Sequence, residues 1–378
     1  MSTDTINDQA STRRHIVVIG AGYAGLSAAL RAGKSKANRV TLIAPERRFG
    51  NRIRQHEVAA GRGIPGAELA RLIRGREIAH VQARVTELDL AGRKVFTDSG
   101  KAIGFDTLVY APGSRTSFHG VEGAAQLAFP MERAAELRDR IAGADRPGTV
   151  AVVGGGATGI ELAAELAEAY PGWRVRIVAA GEVGGWFSDR GRAAIAKSFD
   201  RLHISVHEQA EVIAVEAEGL RTASGRIEAD VVAWAASFEV PELAAKSGMA
   251  VDGSGRVLVD ERLRSVSHPE VYVIGDAAAV TVDGISGVLR MACATALPMG
   301  VYVGKALQAG GKEKGSKAAK EAKPYEYGFT VQCLSLGRNS GLLQFVRRDD
   351  SMKERAYTGR AGRLAKAAIC RYVVSTVR

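Results

Sequence analysis

The sequence predicts an α/β fold with two nucleotide-binding units and a small α+β region at the C-terminal end, on three observations. Thr149–Glu168 reads TVAVVGGGATGIELAAELAE: an apolar run enters three spaced glycines, Gly154, Gly156 and Gly159, and leaves with helical periodicity. Ile16–Arg31, IVVIGAGYAGLSAALR, repeats the arrangement with Gly20, Gly22 and Gly25, 134 residues upstream (Gly154 against Gly20). Glu270–Ala279, EVYVIGDAAA, is a third apolar strand that ends in Gly275-Asp276. One glycine triplet is weak evidence, but two in strand–turn–helix context predict two Rossmann-like dinucleotide-binding domains.

Each glycine has its own physical task. The first permits the tight turn out of the strand, the second lets a pyrophosphate approach the backbone, and the third lets helix and strand pack closely. Tyr23 and Ala24 after the first turn, and Ala157 and Thr158 after the second, open the helices. Their free N–H groups and the positive end of the helix dipole suit phosphates. Two such sites in 378 residues suggest two nucleotides that exchange electrons.

Composition bounds the rest. With 46% hydrophobic and 25% charged residues the chain reads as globular, and its length suits two or three domains. The polar N-terminus lacks a signal-peptide core, and no run approaches the roughly 18 apolar residues of a membrane span. The three cysteines, Cys293, Cys333 and Cys370, are far apart and form no C-x-x-C. A cytoplasmic protein is expected. The net charge of +11 is scattered, with one local excess at Gly310–Lys323, whose five lysines and two glutamates lack interleaved aromatics. That run reads as a solvated loop or exposed helix, and nucleic-acid binding is not expected. No metal-ligand cluster is visible.

Taken in order, residues 1–13 read as a disordered leader. Ile16–Gly20 is the first strand, Leu26–Lys34 its helix and Val40–Ile43 the second strand. Ala44 and Pro45 stand where a dinucleotide fold usually places a ribose-binding acid, and Glu46 comes slightly late. The basic loop Arg47–His56, RRFGNRIRQH, follows; Glu46 and Arg54 are its candidate nucleotide contacts. Val81–Leu90 and Arg93–Thr97 read as a hairpin. Phe105–Tyr110 is a strand ending in Ala111-Pro112-Gly113-Ser114, and Ala111 and Gly113 let the chain turn closely past a cofactor. Met131–Ile141 is a helix, and Arg174–Val178 the second strand of the second unit. It ends in Ala179-Ala180-Gly181, again without an acid, so the coenzyme preference stays open, with NADH and NADPH within about a hundredfold. Val206–Ala217 and Leu220–Ile227 supply short strands, and Ala229–Ser237 closes the unit with a tryptophan expected to be packing. Gly275-Asp276 should open a helix, with the aspartate accepting from a ligand hydroxyl. Strands at Gly328–Leu336 and Leu342–Arg347 and a basic helix at Arg360–Val374 complete the C-terminal region. That helix is diluted by alanines, so it should pack on the chain's own body or on a second copy in a homodimer, without stable membrane insertion.

The ordered set GAGYAG, APGS, GGGATGIE and VIGDAA resembles the FAD-dependent pyridine nucleotide oxidoreductases, and within them most of all the type II NADH:quinone oxidoreductase group, over roughly residues 14–345. The resemblance implies a NAD(P)H domain inserted in an FAD domain: 14–115 with 255–305 for FAD, 116–254 for NAD(P)H, and a small C-terminal domain at 306–378. Gly20, Gly22 and Gly25 would hold the FAD pyrophosphate, with Gly275 and Asp276 at the ribityl chain. Gly154, Gly156 and Gly159 would receive NAD(P)H. Glu161 matches the glutamate that lies where nicotinamide meets flavin; it also suits a carboxylate stabilised by a helix N-terminus. The chain departs from the family in two places. Residues 45–75 hold no cysteine, which excludes a disulfide-reductase mechanism. In the quinone reductases an A-Q-x-A-x-Q run lines the acceptor pocket; the corresponding stretch here, Ala292–Pro298, reads ACATALP without a glutamine, and Cys293 and Pro298 are candidate substrate contacts. The implied reaction passes hydride from NAD(P)H to FAD and electrons to a small-molecule acceptor. A quinone or quinone-like aromatic comes first. The alternatives are a specialised biosynthetic substrate, dioxygen, or a low-turnover redox-sensing or interaction role.

Overall fold

The computed structural model describes residues 13–63, 66–309 and 323–376. The expected leader, Arg13 apart, and the lysine-rich run as far as residue 322 lie outside the described residues.

The chain opens with β1 (Arg14–Ile19), α1 (Tyr23–Ala32), β2 (Asn38–Ile43), the short α2 (Gln55–Ala59), β3 (Ile78–Val81) and β4 (Thr107–Tyr110). It continues with β5 (Ala128–Pro130), β6 (Thr149–Val153), α3 (Ala157–Ala169), β7 (Arg174–Val178), α4 (Asp189–Arg201), β8 (Ser205–His207) and β9 (Val231–Trp234). Then come β10 (Val271–Val273), α5 (Cys293–Ala309), β11 (Val331–Ser335), β12 (Gly341–Val346), β13 (Met352–Thr358) and α6 (Gly359–Ser375).

Two five-stranded parallel sheets follow from the apolar runs. The first has the order β10-β4-β1-β2-β3, with Ile16 level with both Val40 and Thr107. The second has the order β8-β7-β6-β9-β5, with Val150 level with Val175 and Val231. In each the glycine-bearing strand is central and the next strand in sequence lies on one side. In the second sheet Val150 and Val152 pack under helices with Leu137 and Ile160, while Ala151 and Val153 pack against the antiparallel strands that carry Val212, Leu220 and Ile227. Both faces are covered, which is why the strands read as continuous hydrophobic runs instead of alternating: every residue of β6 is buried. The first sheet is completed by β10, from beyond the second sheet in sequence, so the second unit is inserted in the first.

The chain crosses between units as a two-stranded antiparallel ribbon in which Arg115–Thr116 pairs with Phe238–Glu239. Ala244 and Met249 already pack in the core of the first unit. The expected boundary at residues 254/255 therefore falls late. Local departures have simple causes. Val81 belongs to the parallel sheet through β3, and the chain breaks before the antiparallel Val85–Asp89, Lys94–Thr97 and Ala102–Gly104, so the expected Val81–Leu90 strand is two elements. Gly275-Asp276 opens only one 3₁₀ turn, Gly275–Ala277, and the helix starts at Cys293.

The C-terminal β11–β12–β13 sheet is antiparallel, and its third strand was not anticipated. Leu334, Leu336 and Leu342 pack into the second unit, whereas Val346 and Val373 join the core of the first. Helix α6 lies against β12 at a crossing of small residues, where a Cβ on Gly362 would stand 2.2 Å from Gly341 O. Helix α5 crosses α1 the same way, with Gly300 against Ala24 and Gly304 against Ala28.

One half-buried histidine gives the fold a pH dependence. The guanidinium of Arg39, across the β1–β2 pair, lies 3.1 Å from His15 Nδ1, and His15 Nε2 lies 2.8 Å from Thr41 Oγ1. A guanidinium only donates, so Nδ1 must accept and the ring is neutral. Burial, then Arg39, lowers the pKa from 6.5 to about 4. The unfolded chain therefore binds the extra proton between those values, and stability present above pH 6.5 is lost as pH falls toward 4. After discounting for partial exposure the loss is about 1–2 kcal/mol. Urea unfolding at pH 7.5 and 5 should show it, and His15→Gln should flatten the difference; an unchanged slope would remove His15 as the source.

Candidate active site

Both glycine turns have the same geometry. Gly20 N–H donates to Ile43 O at 2.9 Å and Gly154 N–H to Val178 O at 2.8 Å. Gly20 (φ +94°) and Gly154 (φ +121°) sit in backbone that L side chains rarely adopt, pressed against the ends of the neighbouring strands at Ala111 and Ala235. A Cβ on Gly25 would lie 2.0 Å from Gly20 O, and one on Gly159 would lie 1.8 Å from Gly154 O. These third glycines close the helix onto the turn and do not line the cleft. At Gly22 and Gly156 an added Cβ would meet nothing within 4 Å. Each is the N-cap of its helix, and no side chain caps either end. Two open cradles with free backbone N–H groups are what pyrophosphates require.

Both cradles open on one continuous cleft of about 1860 Å³ between the units and the C-terminal sheet. A single small-molecule site is roughly 300–1,000 Å³, so the cleft has room for more than one ligand. Gly20, Gly22, Tyr23, Ala24, Glu46, Ala111, Gly113, Gly275 and Asp276 line its first-unit side. Gly154, Gly156, Ala157, Thr158 and Glu161 line the second, and Cys293 and Pro298 the wall made by α5. Arg54 is the exception among the expected contacts. Its guanidinium makes two 2.6 Å bonds to Glu57 and it is not among the lining residues; Arg48 and Arg52 of the same loop are. Arg52 Nη1 donates to Ser114 O at 2.6 Å, and Ser114 Oγ donates to Asp276 Oδ2 at 2.7 Å. The APGS turn is thus tied to the Gly-Asp strand end. Tyr23 OH donates to Asn51 Oδ1 at 2.6 Å and fixes the basic loop over α1.

Glu161 is buried deeper than a helix-end carboxylate, and the residues that hold it were not legible. Ser335 N–H donates to Oε1 at 2.8 Å, and Lys366 Nζ, from α6, donates to the same oxygen. His56 Nδ1 lies 3.5 Å from Oε2. Burial alone would lower the Lys366 ammonium, but the Glu161 carboxylate outweighs it and holds it above its ordinary range. Burial lowers His56 against the pull of Glu161, so the imidazole stays neutral. Glu161, Glu165 and Glu168 share one face of α3. Ser335 Oγ donates to Glu165 at 3.0 Å, Arg62 pairs with Glu165, and Arg338 N–H donates to Glu168, so this face anchors the C-terminal sheet.

A second tie crosses the cleft. Trp186 Nε1, in the loop after β7, donates to Gln332 Oε1 at 3.0 Å; Gln332 Nε2 donates to Asp350 at 2.8 Å; and Arg290 Nε donates to Asp350 at 2.6 Å. Pro298 stands inside α5, so Ala294 O loses its helical donor. Tyr327 OH donates to that oxygen at 3.1 Å, which sets the tyrosine in the cleft wall.

The three cysteines, distant in sequence, all line this cleft, and each interacts electrostatically with Lys366 and Glu161. Burial pushes Cys293 up to about 11 and Cys333 up to about 12, and it raises Cys370. The thiolate fraction of the first two at pH 7.5 is then below roughly one in a thousand. Iodoacetamide should label them far more slowly in the native protein than in urea, as read by mass spectrometry. Rapid native labelling of Cys333 would contradict the burial argument. Among the described residues no group of three His, Cys, Asp or Glu side chains is placed to hold a metal ion.

Comparisons with known proteins agree with this architecture. The family model described as pyridine nucleotide-disulphide oxidoreductase matches residues 14–300. An NADH dehydrogenase-like protein of Mycobacterium tuberculosis is 30% identical over 76% of this chain and 78% of its own. A type II NADH:quinone oxidoreductase of the same organism is 27% identical over 88% of this chain and 79% of its own. Among solved structures, NDH2 of Plasmodium falciparum in complex with NADH superposes with a TM-score of 0.80 at 14% identity, covering 97% of both chains.

Proposed function

We propose, from the premise that this chain belongs to the pyridine nucleotide-disulphide oxidoreductase family, that it oxidises NAD(P)H through a bound FAD and reduces a small quinone-like aromatic. The observation that carries the reading is the pair of open glycine cradles facing one cleft. The cradle at Gly22, with Asp276 and Ser114 beside it, suits FAD; the cradle at Gly156 suits NAD(P)H. When bound, FAD supplies the ring that accepts hydride and yields electrons to the acceptor. The chain's own residues position and shield. Backbone N–H groups at the starts of α1 and α3 hold the phosphates, and Asp276 accepts from a ligand hydroxyl. Lys366 keeps a proton at Nζ and a positive charge beside Glu161 at the cleft wall, where charge develops on a reduced acceptor.

The acceptor class rests on the relatives' names and on the wall itself, where Leu297, Pro298, Tyr327 and Ile369 present apolar and aromatic surface. A second reading, with a specialised substrate or dioxygen as acceptor, is favoured by the Ala292–Pro298 stretch, ACATALP, which carries no amide where the resemblance expects glutamines. The packing of α6 on β12 supports a cytoplasmic protein without stable membrane insertion, and no helix among the described residues is long and apolar enough to cross a membrane.

The test is anaerobic. Purified protein should release FAD on denaturation, and NADH should bleach the bound flavin. A panel of quinones, other aromatics and dioxygen should then rank by reoxidation rate, with a quinone fastest. FMN, or no flavin, would sink the first half. A bleached flavin that only dioxygen or a non-quinone reoxidises would move the acceptor to the second reading.

A further inference from the structure

We propose that His56 carries to the acceptor the proton that NAD(P)H does not bring, with Glu161 as the positioning residue that orients its ring. The inference rests on the reading of the cleft as the place where NAD(P)H and acceptor exchange electrons. The need for such a group follows from the balance. A hydride brings two electrons and one proton, whereas reduction of a quinone to a hydroquinone, or of dioxygen to hydrogen peroxide, takes two electrons and two protons. The second proton must come from solution. The structure places a buried ring to carry it. Helix α2 turns His56 inward, 4% exposed, and Arg54 and Glu57 on either side of it hold each other with two 2.6 Å bonds. His56 nonetheless forms part of the cleft wall. Of the two oxygens of Glu161, Oε1 already accepts from Ser335 N–H and from Lys366 Nζ, and Oε2 faces His56 Nδ1 at 3.5 Å. A carboxylate oxygen only accepts, so the neutral ring turns Nδ1–H toward Glu161 and leaves Nε2 as an acceptor. Such a pair divides the work: one ring nitrogen is held by the carboxylate, and the other exchanges protons. The 3.5 Å separation is long, as such contacts often are before ligands close a site.

The charges around the ring tie its protonation to the electrons. Glu161 on α3 favours the imidazolium and Lys366 on α6 opposes it; beside it in the chain, Glu57 favours it and Arg54 opposes it. Each acid is bonded to its base, so these four groups act as two ion pairs whose charges largely cancel. The helix Ala134–Ala142, which packs on α2, turns apolar Ala134, Leu137 and Ile141 inward, and α5 contributes the neutral thiol of Cys293. Burial therefore decides, and the resting ring is neutral. A hydride delivered into the cleft adds one negative charge, and a nearby negative charge favours the imidazolium. His56 then takes a proton from solution at Nε2, gives it to the acceptor oxygen on which charge develops, and returns to the neutral ring. Lys366 does not compete for this role, because Glu161 holds its ammonium above the ordinary range.

The experiment uses the FAD-loaded protein without oxygen. NADH is added at pH 7.5 in weak buffer with a pH indicator, which reads proton uptake before any acceptor is present. The bleached protein is then mixed with a quinone, or with dioxygen, across pH 6 to 9. Wild type should take up a proton on bleaching, and its reoxidation should slow as pH rises. His56→Asn keeps an N–H for Glu161 but cannot carry a proton. It should bleach within about threefold of the wild-type rate, take up less than about a third of the wild-type protons, and reoxidise roughly a hundredfold more slowly with the pH dependence gone. A packing role would instead move stability and both half-reactions together. Where His56→Asn does not fold, His56→Ala takes its place, and added imidazole should restore its reoxidation. Wild type that bleaches without proton uptake, an uptake or pH profile that His56→Asn leaves unchanged, or His56→Ala that imidazole does not restore would overturn the assignment of His56. Wild-type protein that NADH does not bleach would instead remove the reading of the cleft on which it rests.

Discussion

Gly156→Val should give a folded, flavin-containing protein whose flavin NADH no longer bleaches, with the bleaching rate down at least about a hundredfold. The structure separates the two effects that usually confuse glycine-motif variants. Gly156 has φ −75° and ψ 178°, extended backbone that any residue adopts, and its added Cβ meets nothing within 4 Å. Valine at this N-cap costs the fold about 1 kcal/mol. What it removes is the free volume through which a pyrophosphate reaches the N–H groups of Ala157 and Thr158. Gly159→Ala is the contrasting variant. Its Cβ would stand 1.8 Å from Gly154 O, so α3 must move off the turn, and loss of soluble or cooperatively folding protein is expected. Anaerobic absorbance after NADH addition, with thermal unfolding and flavin content in parallel, checks both. If Gly156→Val loses its flavin yet folds, the two nucleotide sites are assigned the wrong way round; if it bleaches normally, the cradle is not a phosphate site.

The residues that made the fold legible do their work locally. Gly20 and Gly25, or Gly154 and Gly159, are five positions apart, and the later glycine of each pair closes on the carbonyl of the earlier one. A pattern that short survives in one sequence. The same holds for β6, whose buried faces leave an unbroken apolar run. The third C-terminal strand, β13, escaped because Met352–Thr358 is mostly exposed and reads MKERAYT, with neither a hydrophobic run nor clean alternation. Arg54 misled for a different reason: a basic loop at a strand's carboxyl end signals an anion, but Glu57, three residues on, was a nearer partner.

The centre of the site was illegible because tertiary contact assembles it. Lys366 meets Glu161 across 205 positions of sequence. Nothing in GRAGRLAKAAICRYVV marks which of its charges turns inward, since alanines flank the lysine on both sides. The cysteines repeat the point. Their separations exclude a C-x-x-C pair, and yet α5, β11 and α6 bring all three to one cleft. Pro298 is a related case: read as a substrate contact, it lines the cleft, and it also frees Ala294 O for Tyr327.

Lys366→Met is expected to lower stability by about 3–5 kcal/mol, the cost of leaving one member of a buried ion pair without its partner. Glu161 would keep the Ser335 N–H and have His56 3.5 Å away, but it would lose the ammonium that pairs with it. Glu161→Gln alone leaves the ammonium among neutral thiols and should also destabilise. The double variant Glu161→Gln/Lys366→Met removes both charges and should recover most of the loss, because replacing a buried pair outright is often close to neutral. Urea unfolding of the four proteins closes the cycle. Function should not recover with stability: the double variant, though folded and bleached by NADH, should pass electrons to its acceptor slowly, because the charge beside the cleft wall is gone. A Lys366→Met protein within about 1 kcal/mol of wild type would mean that water reaches Glu161 and that the pair is not buried. A double variant with normal acceptor turnover would leave the pair as the clamp that holds α6 on α3, with no part in the chemistry.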